Sequence, residues 1–355
     1  MRIGLYGLPT AGKSYILNSV RSLDVLSGSS LLRETAPDFP SLSEGEKDAV
    51  RKKLASTLMR KDHFIMDGHF AFGEDIVFTE ADGQLYDVFL YLHVRPDILE
   101  SRISNSARNK KYLKYDLDRW QNMEIEQLRR YCHEYDKDFY VLDNPGQGYF
   151  SDINIILQFI ESIAKGFSCK KAAERCAGEI LKKVSGDTVI LLDGDKTLTL
   201  EDSSGLMGYT THLFDGNFYT GFQSWRNNNE MRDFLSSLNT PYRAVEKSGI
   251  HYNTKIIDKV KQNSFILTSG YYGIWEQISK KLDIPFFNGD DMSAETKFFI
   301  AKILREHGKR VAAYGDGMND YFMLREADEG YLVLKQDGSI SRSLKGKGLE
   351  GITLV

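Results

Sequence analysis

The sequence is poor in the features that mark several large classes of protein. Only seven of its 355 residues are proline, and no low-complexity tract interrupts it, which excludes a disordered or fibrous chain. Three cysteines, Cys132, Cys169 and Cys176, cannot build a disulfide framework. Cys169 and Cys176 also lack metal-type spacing and nearby histidines, so all three read as structural thiols of a reducing compartment. No apolar stretch approaches the roughly 18 residues of a membrane span. The opening "MRIGLYGLPTAGKSY" has only a short apolar run before a glycine-rich turn, unlike a signal peptide. A cytoplasmic protein with no membrane partner is expected. Positive charge is not in excess either: 46 Lys and Arg stand against 50 Asp and Glu, a net charge of −4. That weakens the case for gripping nucleic acid through its phosphates and requires any anion site to be local.

What is present is the composition of an ordinary globular protein, 41% hydrophobic and 27% charged. The length exceeds the roughly 250–300 residues at which single cores stop growing, so two domains are expected. In the first part "RIGLYG", "HFIMDG", "DVFLYLHV" and "DFYVLD" read as strands separated by helical patterns, "YILNSVRSL" among them. That alternation predicts an α/β fold with a parallel sheet. A second series begins at "GDTVILLDGD" and continues through "SFILTSG", "RVAAYGDG" and "EGYLVL". The stretch between them is helical in period and broken at Gly166, which places the boundary near residue 168. The expected domains are residues 1–167 and 168–355.

"GLPTAGKS", Gly7 to Ser14, fits G-x-x-x-x-G-K-[ST] between an apolar strand and a helical segment, the context that a phosphate loop requires. Gly7 and Gly12 let the backbone N–H groups of a loop containing Thr10 and Ala11 turn toward the phosphates of ATP. Lys13 reaches the outer phosphates and Ser14 is placed to hold Mg²⁺. Asp67, ending the strand of "FIMDGHF", could hold the same ion through water.

"VILLDGDKT" ends an apolar strand in Asp193 and Asp195. Two positions apart on an extended strand, both side chains point the same way. With Mg²⁺ on the first, the pair supplies a nucleophile that forms an aspartyl-phosphate and an acid/base group that cycles a proton. Downstream, Thr268 and Ser269 end "FILTSG" with hydroxyls suited to phosphate oxygens. Lys297 can balance the negative charge, and Asp316 and Asp320 follow "VAAYG".

Both halves resemble known families. "GLPTAGKS", "LSGSSLLRE" and the "DG" after a strand look like the nucleoside monophosphate kinases, adenylate kinases above all. That resemblance implies that Arg33 clamps the acceptor's phosphate. It also makes Arg102 and Arg108, with Lys110, candidates for the arginines that a lid brings to the transferred group. The chain lacks the family's long lid and full arginine set.

The second half is similar to haloacid dehalogenase-type phosphatases, whose D-x-D-x-T, strand-end Thr or Ser, Lys, and G-D-G-x-N-D occur here in order. The resemblance implies that Asp193 is nucleophile and Mg²⁺ ligand, and that Asp195 is acid/base with its carbonyl on the metal. Thr268 and Lys297 would bind the phosphoryl group beside Ser269 and Gly270. Asp316 would be the second carboxylate on Mg²⁺, with Asn319 and Asp320 supporting phosphate and metal, and Thr197 matches the first motif's threonine. "GDGMNDYFMLREADEG" looks especially like the phosphoserine phosphatase branch, which implies a Rossmann-like core with a small helical cap at about 200–262. Lys196 departs from that branch. Asp202, Arg226 and Arg232 are candidate substrate contacts.

The expected function is a bifunctional phosphotransfer enzyme using ATP and Mg²⁺, a kinase of a small nucleotide-like acceptor joined to a phosphatase of small phosphorylated metabolites. A hydroxyl acceptor would need a base such as Glu34, Asp38 or Asp67, whereas Arg33 favours a phosphate acceptor. One alternative is the healing of RNA or DNA ends. Another is a phosphatase gated by a nucleotide-sensing loop.

Overall fold

The computed structural model describes residues 1–238, 245–289 and 291–355. It is α/β and divides into two compact units, Met1–Phe167 and Ser168–Val355. Among the described residues no helix is long and apolar enough to cross a membrane.

The strands of unit 1 are β1 (Arg2–Tyr6), β2 (Asp24–Leu26), β3 (Phe64–Asp67), β4 (Ala71–Phe72), β5 (Asp75–Ile76), β6 (Val88–Leu92) and β7 (Asp138–Leu142). Its helices are α1 (Lys13–Leu17), α2 (Gly28–Thr35), α3 (Glu44–Leu58), α4 (Glu80–Leu85), α5 (Pro96–Ser104), α6 (Leu117–Glu134) and α7 (Asn154–Ala164). Five strands form a parallel sheet in the order β2-β3-β1-β6-β7. Every residue of β6 and β7 is buried, as expected of strands covered on both faces. From β1 the chain runs to the edge strand β2, returns through β3 and then crosses to β6 and β7 on the other side. The connections after β1 and β6 thus run in opposite directions, and the loop after β1 lies at the switch point where open α/β sheets place their ligands. The expected helix over "YILNSVRSL" is shorter than its pattern: α1 ends at Leu17, and Asn18 and Ser19 continue as turns. Both are weak helix formers that compete for backbone bonds. β4 and β5 form a separate antiparallel hairpin.

Unit 2 holds β8 (Thr188–Asp193), β9 (Ser264–Leu267), β10 (Phe286–Phe287), β11 (Arg310–Gly315), β12 (Glu329–Leu332) and β13 (Ile352–Leu354). Its helices are α8 (Cys169–Lys183), α9 (Ser203–Leu206), α10 (Gly221–Ser237), α11 (Val245–Ser248), α12 (Thr254–Ile257), α13 (Tyr272–Leu282), α14 (Ala294–Glu306) and α15 (Met318–Glu326). The parallel sheet runs β10-β9-β8-β11-β12-β13, again with the first strand central. One buried cluster gathers Ala173, Ala177 and Ile180 of α8 with Phe299, Ile300 and Leu304 of α14 and Leu191 of β8. Residues 200–262, expected to be a cap, contain α9 to α12 and no strand among the described residues. Residues 239–244 of that span lie outside the described residues.

Candidate functional sites

In unit 1 the chain leaves β1 into the loop Gly7 to Gly12, where Gly7 (φ 142°), Thr10 (φ 66°) and Gly12 (φ 116°) take left-handed backbone angles. A side chain at Gly12 would be strained there, and Gly12 is the residue that opens α1. Lys13 is buried, and its ammonium donates to the carbonyls of Gly7 and, at 3.2 Å, Leu8. Burial lowers its pKa to about 8, against the opposing charges of Glu124 and Asp67. Asp67 ends the neighbouring strand β3 and accepts from the Gly28 N–H at 3.0 Å, which ties it to the start of α2.

A cavity of about 1190 Å³ opens from this loop and is lined by Thr10, Gly12, Lys13, Ser14, Arg33 and Asp67, among others. Arg108 and His69 also line it, whereas Glu34, Asp38 and Lys110 do not. Arg33 is held along its own helix by Ser29. Arg102 is set against the phosphate loop itself. Rising from α5, it donates to the carbonyls of Ala11 at 2.8 Å and Thr10 at 3.4 Å, so it braces the loop. One residue near this site that sequence reasoning missed is Glu124, an acid on the buried stripe of α6. It accepts from Ala71 N, Trp120 Nε1 and Tyr91 Oη at 2.8–3.0 Å, pinning the hairpin to the helix. Burial outweighs these donors and pushes it up to about 7.

In unit 2, Asp193 ends β8, and the parallel register sets Leu267 of β9 beside it and Tyr314 of β11 beside Leu192. Thr268 and Asp316, which follow those flanking strands, therefore emerge at the same edge. Lys297 of α14 is fully buried and donates to Asp193 Oδ1 at 2.6 Å and Asp320 Oδ1 at 2.7 Å. Burial opposes its charge, but Asp193 and Asp320 outweigh that and hold its pKa above normal. Asp193, Asp316 and Asp320 each offer an oxygen, all within 4.8 Å of one another. Burial, followed by the charge of Asp193, pushes Asp320 up to about 6, and burial with the charges of Asp193 and Asp320 raises Asp316 well above the usual range.

Three carboxylates gathered around one lysine are an excess of negative charge that a hard, oxygen-seeking cation would relieve. Asn319 Oδ1 and Thr197 Oγ1 are buried without a hydrogen-bond partner, leaving acceptors open beside the same motifs. The residues thus fit Mg²⁺.

Asp195 sits differently. Its Oδ1 accepts from Ser203 N at 2.9 Å and Trp275 Nε1 at 3.2 Å, and its Oδ2 from Ser203 Oγ at 2.9 Å. Burial, then the charge of Asp202, raises it to about 7. Lys196 pairs with Asp202 at 2.7 Å. Thr268 Oγ1 accepts from Gly270 N at 3.0 Å, and Asn288 fastens the turn by donating to the carbonyls of Thr268 and Gly270, each at 2.9 Å. Ser269 is half-buried on that turn. Arg226 pairs with Glu230 along α10. Ser203, Trp275 and Asn288 had no motif to announce them.

No protein-family model matches the chain, and no curated protein matches it. Solved structures do. A HAD family hydrolase from Salmonella enterica subsp. enterica serovar Typhi matches with TM-score 0.32 and 13% identity, over 49% of this chain and 69% of its own. A phosphoserine phosphatase matches at 0.27 and 17%, over 42% and 87%. The shikimate kinase of Bacteroides thetaiotaomicron matches at 0.32 and 15%, over 46% and 98%.

Proposed function

We infer that the chain is a two-site phosphotransfer enzyme, with a Mg²⁺-dependent phosphomonoester phosphatase in unit 2 and an ATP-dependent kinase of a small nucleotide-like acceptor in unit 1. The observation that carries the reading is the Lys297 ammonium bridging Asp193 and Asp320, with Asp316 within reach and Asp195 on the same strand end.

In unit 2, an Asp193 oxygen attacks phosphorus while the bond from phosphorus to the ester oxygen breaks. Asp195 gives its proton to that oxygen, releasing an alcohol. Asp195 then takes a proton from water as the water attacks the phosphorus, the Asp193–phosphate bond breaks, and inorganic phosphate leaves with both carboxyls restored. Lys297 holds Asp193 in place through its 2.6 Å contact. Asp193, Asp316 and Asp320 would hold the cation, which when bound would neutralise charge on the phosphoryl oxygens.

In unit 1, the loop from Gly7 to Ser14 would cradle the phosphates of ATP with Mg²⁺ on Ser14 and Asp67. Lys13 would exchange the Gly7 and Leu8 carbonyls for phosphate oxygens, and Arg33 and Arg108 face the cavity as anion contacts. A specific observation favours nucleic acid ends as a second reading. The cavity exceeds the roughly 300–1,000 Å³ of small-molecule sites, and one wall carries Phe72, Lys111, Tyr112, Lys114 and Tyr115. Aromatics interleaved with cations suit single strands.

Labelled ATP offered with nucleosides, nucleotides and 5′-hydroxyl oligonucleotides tests both readings. Transfer to mononucleotides, lost in Lys13→Ala, is the expected result. Transfer confined to oligonucleotides would replace it with the second reading, and ATP that binds but is not consumed with any of the acceptors would leave a nucleotide sensor.

A further inference from the structure

Asp195 is held by a cradle of three donors from two separate parts of unit 2. Ser203, the first residue of α9, offers its backbone N–H to one carboxyl oxygen and its hydroxyl to the other. Trp275, in the first turn of α13, donates its indole N–H to Oδ1. Both residues are fully buried. The Ser203 hydroxyl is itself oriented, because it accepts from Tyr271 N at 3.0 Å and so must spend its own proton on Asp195.

Two glycines make room for this arrangement. A Cβ on Gly194, the residue between the two acids, would lie 2.5 Å from Trp275 Cζ2 and 2.7 Å from Thr268 Oγ1. On Gly270 it would lie 2.5 Å from Trp275 Nε1 and 2.6 Å from Ser203 Oγ, and would strike Asp195 Oδ2 itself. The indole is thus wedged between two backbone turns that also carry the proposed nucleophile and the Thr268 hydroxyl. A carboxyl with donors on both oxygens has lost its rotational freedom. Such a geometry aims a proton, since catalytic gain from a held group depends on placement to within about 1 Å.

We propose that Trp275 and Ser203 are positioning residues that aim the Asp195 carboxyl at the oxygen leaving the phosphoryl group, without touching substrate themselves. This rests on the phosphatase reading above. It makes the dependence of rate on the leaving group a property of two residues outside every motif.

The test uses the full-length protein with Mg²⁺ and aryl phosphates from 4-nitrophenyl to 4-methoxyphenyl. The quantity compared is kcat/KM, which ends at leaving-group departure and omits hydrolysis of the phosphoryl-enzyme. A nitrophenolate departs without a proton, whereas a methoxyphenolate gains from one. In Trp275→Phe, kcat/KM for the nitrophenyl ester should stay within about threefold of wild type while that for the methoxyphenyl ester falls by about 10²-fold. Ser203→Ala should tilt the series the same way by a smaller factor. It removes one hydroxyl and keeps the fold if the Trp275 variant does not. Variants whose kcat/KM falls by one common factor across the series, or not at all, would overturn the positioning role and leave the phosphatase standing. A wild-type protein that hydrolyses none of the esters would overturn the phosphatase reading and this inference with it.

Discussion

Asp193 and Asp195 leave one strand end two positions apart and meet opposite surroundings. Asp193 faces an ammonium at 2.6 Å, which fixes one of its oxygens in place and suits an attacking group. Asp195 faces neutral donors and is raised to about 7 by burial and then by Asp202, which suits a group that gives and retakes a proton. Their amides should therefore fail at different steps. Asp193→Asn should form no covalent phosphoryl-enzyme, because a neutral amide replaces the nucleophilic carboxylate. Asp195→Asn should still be phosphorylated by a substrate with a good leaving group, then hydrolyse that intermediate roughly 10²–10⁴-fold more slowly for want of a base. Rapid quenching should trap phosphate on Asp195→Asn, and peptide mapping should place it on Asp193. Phosphate recovered on Thr268, Ser269 or a histidine would overturn the assignment.

Among the elements, α6 shows most clearly how a buried polar group can serve as a fastening. Leu117, Ile125 and Leu128 lie on the same buried face as Glu124, which takes three donors from β4, β6 and its own helix. Burial raises Glu124 from an ordinary 4.5 to about 7. A folded pKa above the unfolded one means that the stability contributed is fully present below about 4.5 and lost as pH rises through about 7. Glu124→Gln cannot titrate. It should gain on the wild type between pH 4.5 and 8 by on the order of 1–3 kcal/mol, read as the difference between urea midpoints at the two ends of that range. A difference that stays constant with pH would refute the role given to burial.

The same scale shows what a single sequence reveals. β1, β3, β6 and β7, and β8, β9, β11 and β12, were all legible because each is an apolar run bounded by glycine or aspartate. β10 has two residues and β13 three, too few to carry a period. Carboxylates, lysines and strand-end hydroxyls were legible because their chemistry is tied to local spacing. Glu124, Ser203 and Trp275 were not, since a buried acid on a helix or a tryptophan in a first turn gains its meaning from partners 53, 8 and 80 residues away.

Across the whole molecule, chemistry and folding draw different boundaries. Every residue proposed for the phosphatase lies after Asp187, yet the unit that folds around them begins at Ser168. The difference is α8, whose Cys169, Ala172, Ala173, Ala177 and Ile180 are buried, packed in part against α14, the helix that carries Lys297. A fragment of residues 168–355 should therefore hydrolyse 4-nitrophenyl phosphate with Mg²⁺ and lose that activity to a chelator. A fragment of residues 187–355 keeps every motif but exposes the face of α14 that α8 covers. Burying one aliphatic side chain such as Ile180 is worth about 1.5–3 kcal/mol, so removing α8 should consume a large part of a stability of roughly 5–15 kcal/mol. The shorter fragment should show a much lower urea midpoint and bind a hydrophobic dye, with activity falling as Lys297 loses its fixed place between Asp193 and Asp320. Equal midpoints for the two fragments would show that α8 is dispensable to the unit, and a folded but inactive longer fragment would show that the phosphatase site is incomplete without residues 1–167.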